Sequence, residues 1–415
     1  MKRLFKTISL IFRTLFVFSR SLFLVVGRFL NQHRLTFISI AHSIILLFVS
    51  YAWLNLPFDY DSGEEHLTLF SFVQEQFGKD ISNERADSIV FINIAYDKVL
   101  VPVDDALGLP AGREIITDRE KLSRLLMVLS EKNLQKLVFL DIDFDKEYPN
   151  DSSLASNMVK TANLIIPHTS NSSIINKEIM MGAVSSRKTL LSGDFFKYPY
   201  LFDGEASIPV MIFDILDGGN FEKKCCWYVR NRKLAFNAIV PNYYYTKIPK
   251  YTAEYENNYY DLGEDFLSME QEDIEQKIAG KIVLLGDLSE YDQHNTFMGE
   301  IPGILIVLNA YLNLKEGNNA ISFWLILFLF LVYYILTINT LEDRSLINTS
   351  RLREWLSNFK VFGFILKVVS FAGTFWILSI AIKLIFGIYL NILLIGIYFV
   401  LLGSCIQFAR RLKKK

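Results

Sequence analysis

Apolar positions in this chain fall into two kinds of run. Four are long and nearly unbroken, over 36–56, 320–338, 361–386 and 388–408. Each offers roughly 20 mostly apolar residues, the length a helix needs to cross about 30 Å of hydrocarbon. The pattern therefore predicts four membrane-spanning helices. The third carries Lys367 and Lys383, one near each end, where lysines can snorkel to the interfaces. Only Gly387 separates it from the fourth, so those two should form a tight hairpin. His42 lies about a third of the way into the first span and is the best candidate for a polar contact between helices.

The other apolar runs are short, and they lie between the first and second spans. Residues 88–95, 136–143, 163–167 and 281–287 have the length and bulk of buried strands. Residues 118–133, 152–161, 207–216 and 302–315 have helical spacing; in the first of these Leu122, Leu125, Leu126 and Leu129 share one face. Thr117 is its expected cap, with Glu120 completing a capping box. The 302–315 helix is expected to run almost directly into the second span, so that the two shift as a unit. This alternation gives the fold class: an α/β extracytoplasmic domain over 57–319, mostly parallel sheet with flanking helices, plus a four-span α-helical membrane region.

Charge sharpens that division. Residues 57–319 carry 25 Lys and Arg against 41 Asp and Glu, a net of −16, while the rest of the chain carries 18 against 3. An acidic block between basic, apolar blocks is expected of a domain held between membrane segments. It argues against nucleic acid as a partner, because phosphate binding needs a positive face. The cations of the short flanks set orientation. They sit in the arm 1–35, in the loop 339–360 (Arg344, Arg351, Arg353, Lys360) and in the tail 409–415. Four spans put all three segments on one side, the cytoplasmic one, with both termini there and 57–319 outside. Within the arm, Lys6, Arg13, Arg20 and Arg28 recur near two-turn spacing among Leu, Phe, Ile and Val. This favours an amphipathic helix in the interface over an additional span, which would bury two arginines. About 35 residues precede the first span and its end is a poor cleavage site, so an uncleaved anchor is expected rather than a signal peptide.

Candidate chemistry is sparse. Cys225, Cys226 and Cys405 give neither a disulfide framework nor a zinc signature. Asp97, Asp141 and Asp143 lie at or near the C-terminal ends of two expected strands, and Asp151 can approach them. The crevice beyond such ends is the usual ligand site of an open α/β sheet, and clustered acids there could take a divalent cation or a cationic ligand; capping, loop bonding or plain solvation is the competing reading. Asp287, Asp292 and His294 follow the late strand, where a His among carboxylates could ligate metal or act as a base. Whether a metal binds stays open, no cofactor is expected, and without an obvious nucleophile or oxyanion hole no catalytic residue is assigned. Residues 241–260 contain seven tyrosines. One reading is a hairpin whose aromatics cover a sheet edge. The other is an exposed partner contact through Tyr243, Tyr244, Tyr245, Tyr259 and Tyr260.

The run of segments over roughly 87–317 resembles the type-2 CHASE domain, an extracellular sensory module found with cyclases and histidine kinases. The resemblance is carried in order by Phe91-Ile92-Asn93-Ile94-Ala95-Tyr96-Asp97; by Arg119 with Leu122, Leu125 and Leu126; by Val138-Phe139-Leu140-Asp141-Ile142-Asp143-Phe144; and by Asp151 with Leu154-Ala155. Gly280-Lys281-Ile282-Val283-Leu284-Leu285-Gly286, Asp292 and Thr296, and Ile301-Pro302-Gly303-Ile304 with Asn309-Ala310 complete it. Asn309 stands where the family has histidine, and the cytoplasmic output domain usual in the family does not follow the fourth span. The resemblance implies a bacterial cytoplasmic (inner) membrane protein. It implies a sensor, not an enzyme, that relays ligand or partner binding through its spans to a separate cytoplasmic or membrane signalling partner; a homo-oligomer is a further option. The alternative is a non-enzymatic structural or assembly component of a membrane complex. A channel is disfavoured, since the spans hold few deep charges.

Overall fold

The computed structural model describes residues 34–56, 87–104, 109–144, 148, 151–167, 180–182, 195, 197–202, 204–247, 258–289, 292–342, 373–375, 377–388 and 393–412. The basic arm, most of the loop 339–360 and Lys367 lie outside the described residues. The chain divides into two compact units: Leu54–Ile321, and the flanking segments Met1–Trp53 with Ser322–Lys415.

The Leu54–Ile321 unit is built on a six-stranded sheet. Its strands are β1 (Ile89–Asn93), β4 (Leu137–Leu140), β5 (Leu164–Pro167), β6 (Met180–Gly182), β10 (Tyr259–Asp261) and β11 (Ile282–Gly286), in the spatial order β10-β1-β11-β4-β5-β6. Every pairing is parallel. β1, β4 and β11 are buried at every position, as strands covered on both faces must be, which is why they appear in the sequence as unbroken apolar runs. Between β1 and β4 the chain forms the antiparallel ribbon β2 (Lys98–Asp104) and β3 (Pro110–Thr117).

One face of the sheet presents Val90, Ile92, Val138, Leu140, Leu164, Ile166, Val283 and Leu285 to α2 (Arg119–Lys132), α3 (Asp151–Lys160) and α5 (Gln271–Ile278). The capping residue of α2 is Asp118, not Thr117: its carboxylate accepts from the Glu120 and Lys121 amides at 3.0 and 3.2 Å. Thr117 is still paired in β3, so the first residue free to cap is Asp118, whose carboxylate also suits the positive end of the helix dipole. The helix stops at Asn133, in a left-handed conformation (φ 49°). Arg119, although charged, is buried, with its guanidinium 4.4 Å from the centre of the Phe144 ring.

The other face meets α4 (Ile208–Asp217) and α6 (Gly303–Glu316). Every residue of α6 from Ile304 to Leu314 is buried, including Asn309 and Asn313, whose one-turn spacing puts them on one side of the helix. Asn309 accepts from the amides of Tyr244 and Tyr245 at 2.7 and 3.0 Å and donates to the carbonyls of Tyr245 and Leu305, both at 2.8 Å. Asn313 accepts from the Asn242 amide (2.9 Å) and donates to the Asn242 and Asn309 carbonyls (2.8 and 2.7 Å). The two side chains thus pair the backbone of 242–245 as a neighbouring strand would. This corrects the expectation of a hairpin over 241–260. The 242–245 segment is clasped to a helix, and Tyr259–Asp261 is a parallel edge strand; residues 248–257 lie outside the described residues.

A three-stranded meander, β7 (Phe221–Lys224), β8 (Trp227–Arg230) and β9 (Lys233–Ala235), leads to a strip that collects both ends of the unit. The Asn237 amide donates to Asn55 Oδ1 at 2.5 Å, and Asn55 is one residue past Leu54. Phe236 exchanges bonds with Asn319: its amide donates to the Asn319 carbonyl (2.8 Å) and its carbonyl accepts from Asn319 Nδ2 (3.1 Å). Ala235 bridges Ala320, and the Ile321 amide donates to Leu234 (2.8 Å). The expected continuous rod from 302–315 into the second span is therefore not formed. Gly317, at φ 80°, ends α6, and 319–321 is fixed to the meander instead.

In the flanking unit, α1 (Arg34–Leu54) and α7 (Phe323–Glu342) are long and apolar enough to cross a membrane, and only 22 % and 28 % of their apolar windows are buried. A core helix of that composition would be mostly buried; here Ile45, Phe48, Val49, Leu331 and Ile335 are exposed, as lipid-facing residues would be. Helix also runs over 377–386, and α8 spans Leu393–Leu412; Gly387 between them has φ 72°. His42 bonds to Thr337 Oγ1 (2.8 Å) and to the Tyr398 hydroxyl (2.7 Å), linking α1, α7 and α8, and Ser50 bonds to the Tyr333 hydroxyl (2.8 Å). His42 is thus the interhelical contact the sequence singles out.

Replacing Asn309 by Leu keeps volume but strands three buried backbone groups, at about 1 kcal/mol or more each. The expected outcome is a melting temperature of the full chain lowered by about 6 °C or more, read by thermal unfolding in detergent. Asn309→Asp, which keeps the acceptor and loses both donors, should be no better. A shift of about 1 °C or less in both would contradict the clasp.

Candidate functional site

The parallel sheet sends the C-terminal ends of its three central strands, β1, β11 and β4, to one edge. Asn93, the last residue of β1, joins the chain there. Its Nδ2 donates to Asp261 Oδ1 (2.8 Å), and its Oδ1 accepts from the amides of Ala95 (3.1 Å) and Leu288 (3.0 Å). The exits of β10, β1 and β11 are thus held by one buried amide.

Asp141 follows β4, and its amide donates to Leu285 at 2.8 Å. It sits close to Gly286: a Cβ on that glycine would lie 3.1 Å from Asp141 Cβ and from Ile304 of α6. Beyond β11, Asp287 accepts from the Ser289 hydroxyl (2.5 Å) and lies 3.7 Å from Lys98 Nζ. Asp292 Oδ1 is 3.6 Å from His294 Nε2, and its carbonyl accepts from the Gly303 amide (3.1 Å). Any side chain at Gly303 would crowd both Asp292 Oδ2 and His294 Nε2, each 3.1 Å from the Cβ position. The two glycines make room for the acids.

Asp141 is half-buried as a residue. Burial of its carboxyl, with the Asp292 carboxylate as a second cause, raises its pKa from 3.8 to about 7. Asp292 is also raised, first by burial; His294 opposes the shift and Asp287 adds to it. A carboxyl whose burial resists ionisation stays protonated, donates or accepts a hydrogen bond, or takes a cation. Among the described residues no group of three or more His, Cys, Asp or Glu has metal-holding geometry.

The four acids picked out from the sequence do not converge. Asp97 is structural: its carboxylate pairs with Lys121 Nζ at 2.5 Å, which raises the lysine's pKa, and accepts from the Gly263 amide at 3.2 Å. Asp151 opens α3 and accepts from the Tyr148 amide at 2.6 Å. Asp143 is exposed. Asp141 alone joins the Asp292–His294 pair. The exposed tyrosine contact is corrected as well. Tyr243, Tyr244, Tyr245 and Tyr260 are buried and Tyr259 is half-buried, because their rings fill the core: Tyr245 packs on Phe91, Tyr243 on Phe297 and Tyr260 on Phe266.

Because the folded state binds a proton at Asp141 up to about pH 7 and the unfolded chain releases it near 3.8, stability falls as pH rises through that window and levels off above it. Asp141→Asn should therefore raise the melting temperature at pH 8 relative to the parent and change it little at pH 4. Thermal unfolding at the two pH values checks this; an equal effect at both would remove the ionisation argument. Comparison with known proteins gives no matching family model, no matching curated protein and no matching solved structure.

Proposed function

We propose that this chain is a membrane-anchored extracytoplasmic sensor that relays ligand or partner binding through its spans to a cytoplasmic signalling partner. The observation that carries the reading is the 234–237 strip. It bonds on one side to Asn55, just past α1, and on the other to 319–321, just before α7. The same strip is tied inward: Asn237 Oδ1 accepts from the Leu201 amide (2.8 Å), its Nδ2 donates to the Leu201 carbonyl (3.1 Å), and the Tyr200 hydroxyl donates to Ala310 of α6 (3.1 Å). A rearrangement of the sheet edge that moves α6 acts on both connections together, which is the differential contact a relay requires.

In this reading four spans cross a bacterial inner membrane, both termini are cytoplasmic, and the domain is of the CHASE type. Asn309 then replaces the family's histidine with a side chain whose three bonds to Tyr244 and Tyr245 serve the 242–245 clasp. The ligand-facing residues are Asp141, Asp292 and His294. An assembly role loses its candidate contact, since the tyrosines are interior. No catalytic function is proposed.

Gentle solubilisation of the tagged full-length chain from its native membrane, followed by identification of stoichiometric partners, tests the reading. The expected partner bears a cytoplasmic catalytic or effector domain. Recovery with envelope proteins alone, or with none, would contradict it.

A further inference from the structure

The pairing that fixes 319–321 also carries information about the membrane surface, given the reading above that α7 crosses a bilayer. The first two residues of α7, Phe323 and Trp324, are 69 % and 68 % exposed. Aromatic side chains at the end of a span settle among lipid headgroups. The chain reaches them from Ile321, which is bonded to Leu234, in an antiparallel pairing that continues through Ala235–Ala320 and Phe236–Asn319. Moving along this pairing toward α7 means moving backward along β9, toward Lys233. The next feature in that direction is the turn joining β8 to β9. Phe323 lies two residues beyond Ile321, a reach of at most about 7 Å.

That turn has an unusual composition. Arg230 pairs with Lys233, so Asn231 and Arg232 form a two-residue connection, with φ of 47° and 68°. Asn tolerates a positive φ, but for Arg it is a strained conformation, and glycine is the favoured residue at the second position of such turns. Arg232 and Lys233 are both exposed. Arg230 is engaged elsewhere, donating to the Lys315 carbonyl (2.8 Å) and lying 5.0 Å from the Phe213 ring centre. The surrounding domain is strongly acidic, yet residues 221–235 carry Lys223, Lys224, Arg230, Arg232 and Lys233 against Glu222 alone. Fold stability does not account for a strained, cationic turn at the end of the domain from which the chain departs for α7.

We propose that the Asn231–Lys233 turn is a docking surface for anionic phospholipid headgroups, with Arg232 and Lys233 as the binding side chains. Arg presents a planar fork that matches phosphate oxygens, and Lys adds a point charge. Near an anionic bilayer each such cation gains about fivefold in local affinity, and salt removes the gain beyond about 10 Å. Lys223 and Lys224 flank the Cys225–Cys226 turn at the opposite end of the meander and take no part. Headgroup binding would seat the domain against the bilayer and fix the zero point from which the strip transmits movement.

The test uses the full chain with Cys225, Cys226 and Cys405 changed to Ser and Asn231→Cys carrying an environment-sensitive fluorophore. Cys225 already holds a φ of 55°, so cysteine is compatible with such a turn. The labelled protein is reconstituted in phosphatidylcholine with and without phosphatidylglycerol, and quenching by a headgroup-attached quencher is read. Anionic lipid should raise quenching about twofold, high salt should reverse it, and Arg232→Gln with Lys233→Gln should abolish the rise. Lys223→Gln with Lys224→Gln should leave it intact, and inorganic phosphate added to phosphatidylcholine bilayers should not reproduce it. Quenching indifferent to lipid charge, or lost equally in both double variants, overturns the proposal. An alkaline wash separates the two ideas: a chain stripped from the bilayer contradicts the membrane reading and this inference with it, whereas a chain that resists alkali without a lipid-charge response contradicts the inference alone.

Discussion

A backbone that runs through a core without joining a sheet must still pair its amides and carbonyls, since each buried group left unpaired costs about 1–3 kcal/mol. In this protein asparagine side chains meet that requirement. Asn309 and Asn313 hold 242–245 against α6, Asn93 holds the strand exits, and Asn237, Asn55 and Asn319 hold the two ends of the domain. A primary amide has two donors and two acceptor sites, so it can imitate a peptide group where no strand is available. The central packing of α6 and the position of the chain's departure toward α7 both follow from this device.

The same device connects the candidate site to the end of the unit from which the chain departs toward α7. Gly286 and Gly303 bring Asp141, Asp292 and His294 together where β4, β11 and the start of α6 meet. From there α6 carries Asn309 and Asn313 to its far end, where Gly317 turns the chain into the 319–321 segment. In the proposed sensor reading, a change of protonation or occupancy at the acids would act on the first turn of a helix buried from Ile304 to Leu314, and buried helices shift as bodies rather than bend locally. The segment just past the far end of that helix, 319–321, is bonded to the strip that also holds Asn55.

Much of the sheet is legible in the sequence because β1, β4, β5 and β11 are covered on both faces, which leaves compact apolar runs that few other structures produce. The helices follow from one-sided spacing, as in Leu122–Leu129. The site is legible only in part. Asp141 is found by the rule that ligands gather beyond strand ends, but Asp97 satisfies the same rule while its partners, Lys121 and Gly263, come from distant positions. The tyrosines mislead because Tyr suits either an interface or a core, and what decides is the helix packed against them. The asparagines carry no local signal at all: in isolation they indicate turns, and their role appears only when α6 is placed beside 242–245. The break after α6 is the exception, since Gly317-Asn318-Asn319 is a plain stop signal that the apolar continuity of the flanking helices conceals.

The central claim is that the connections to α1 and to α7 are held as one element. Hydrogen exchange on the full chain in lipid, comparing the parent with Asn55→Ala, tests it most directly. The account predicts that releasing Asn55 from the Asn237 amide speeds exchange at 234–237 and also at 319–321, on the opposite side of the strip. Faster exchange confined to Asn237, with 319–321 unchanged, would show that the two connections move independently and would contradict the relay.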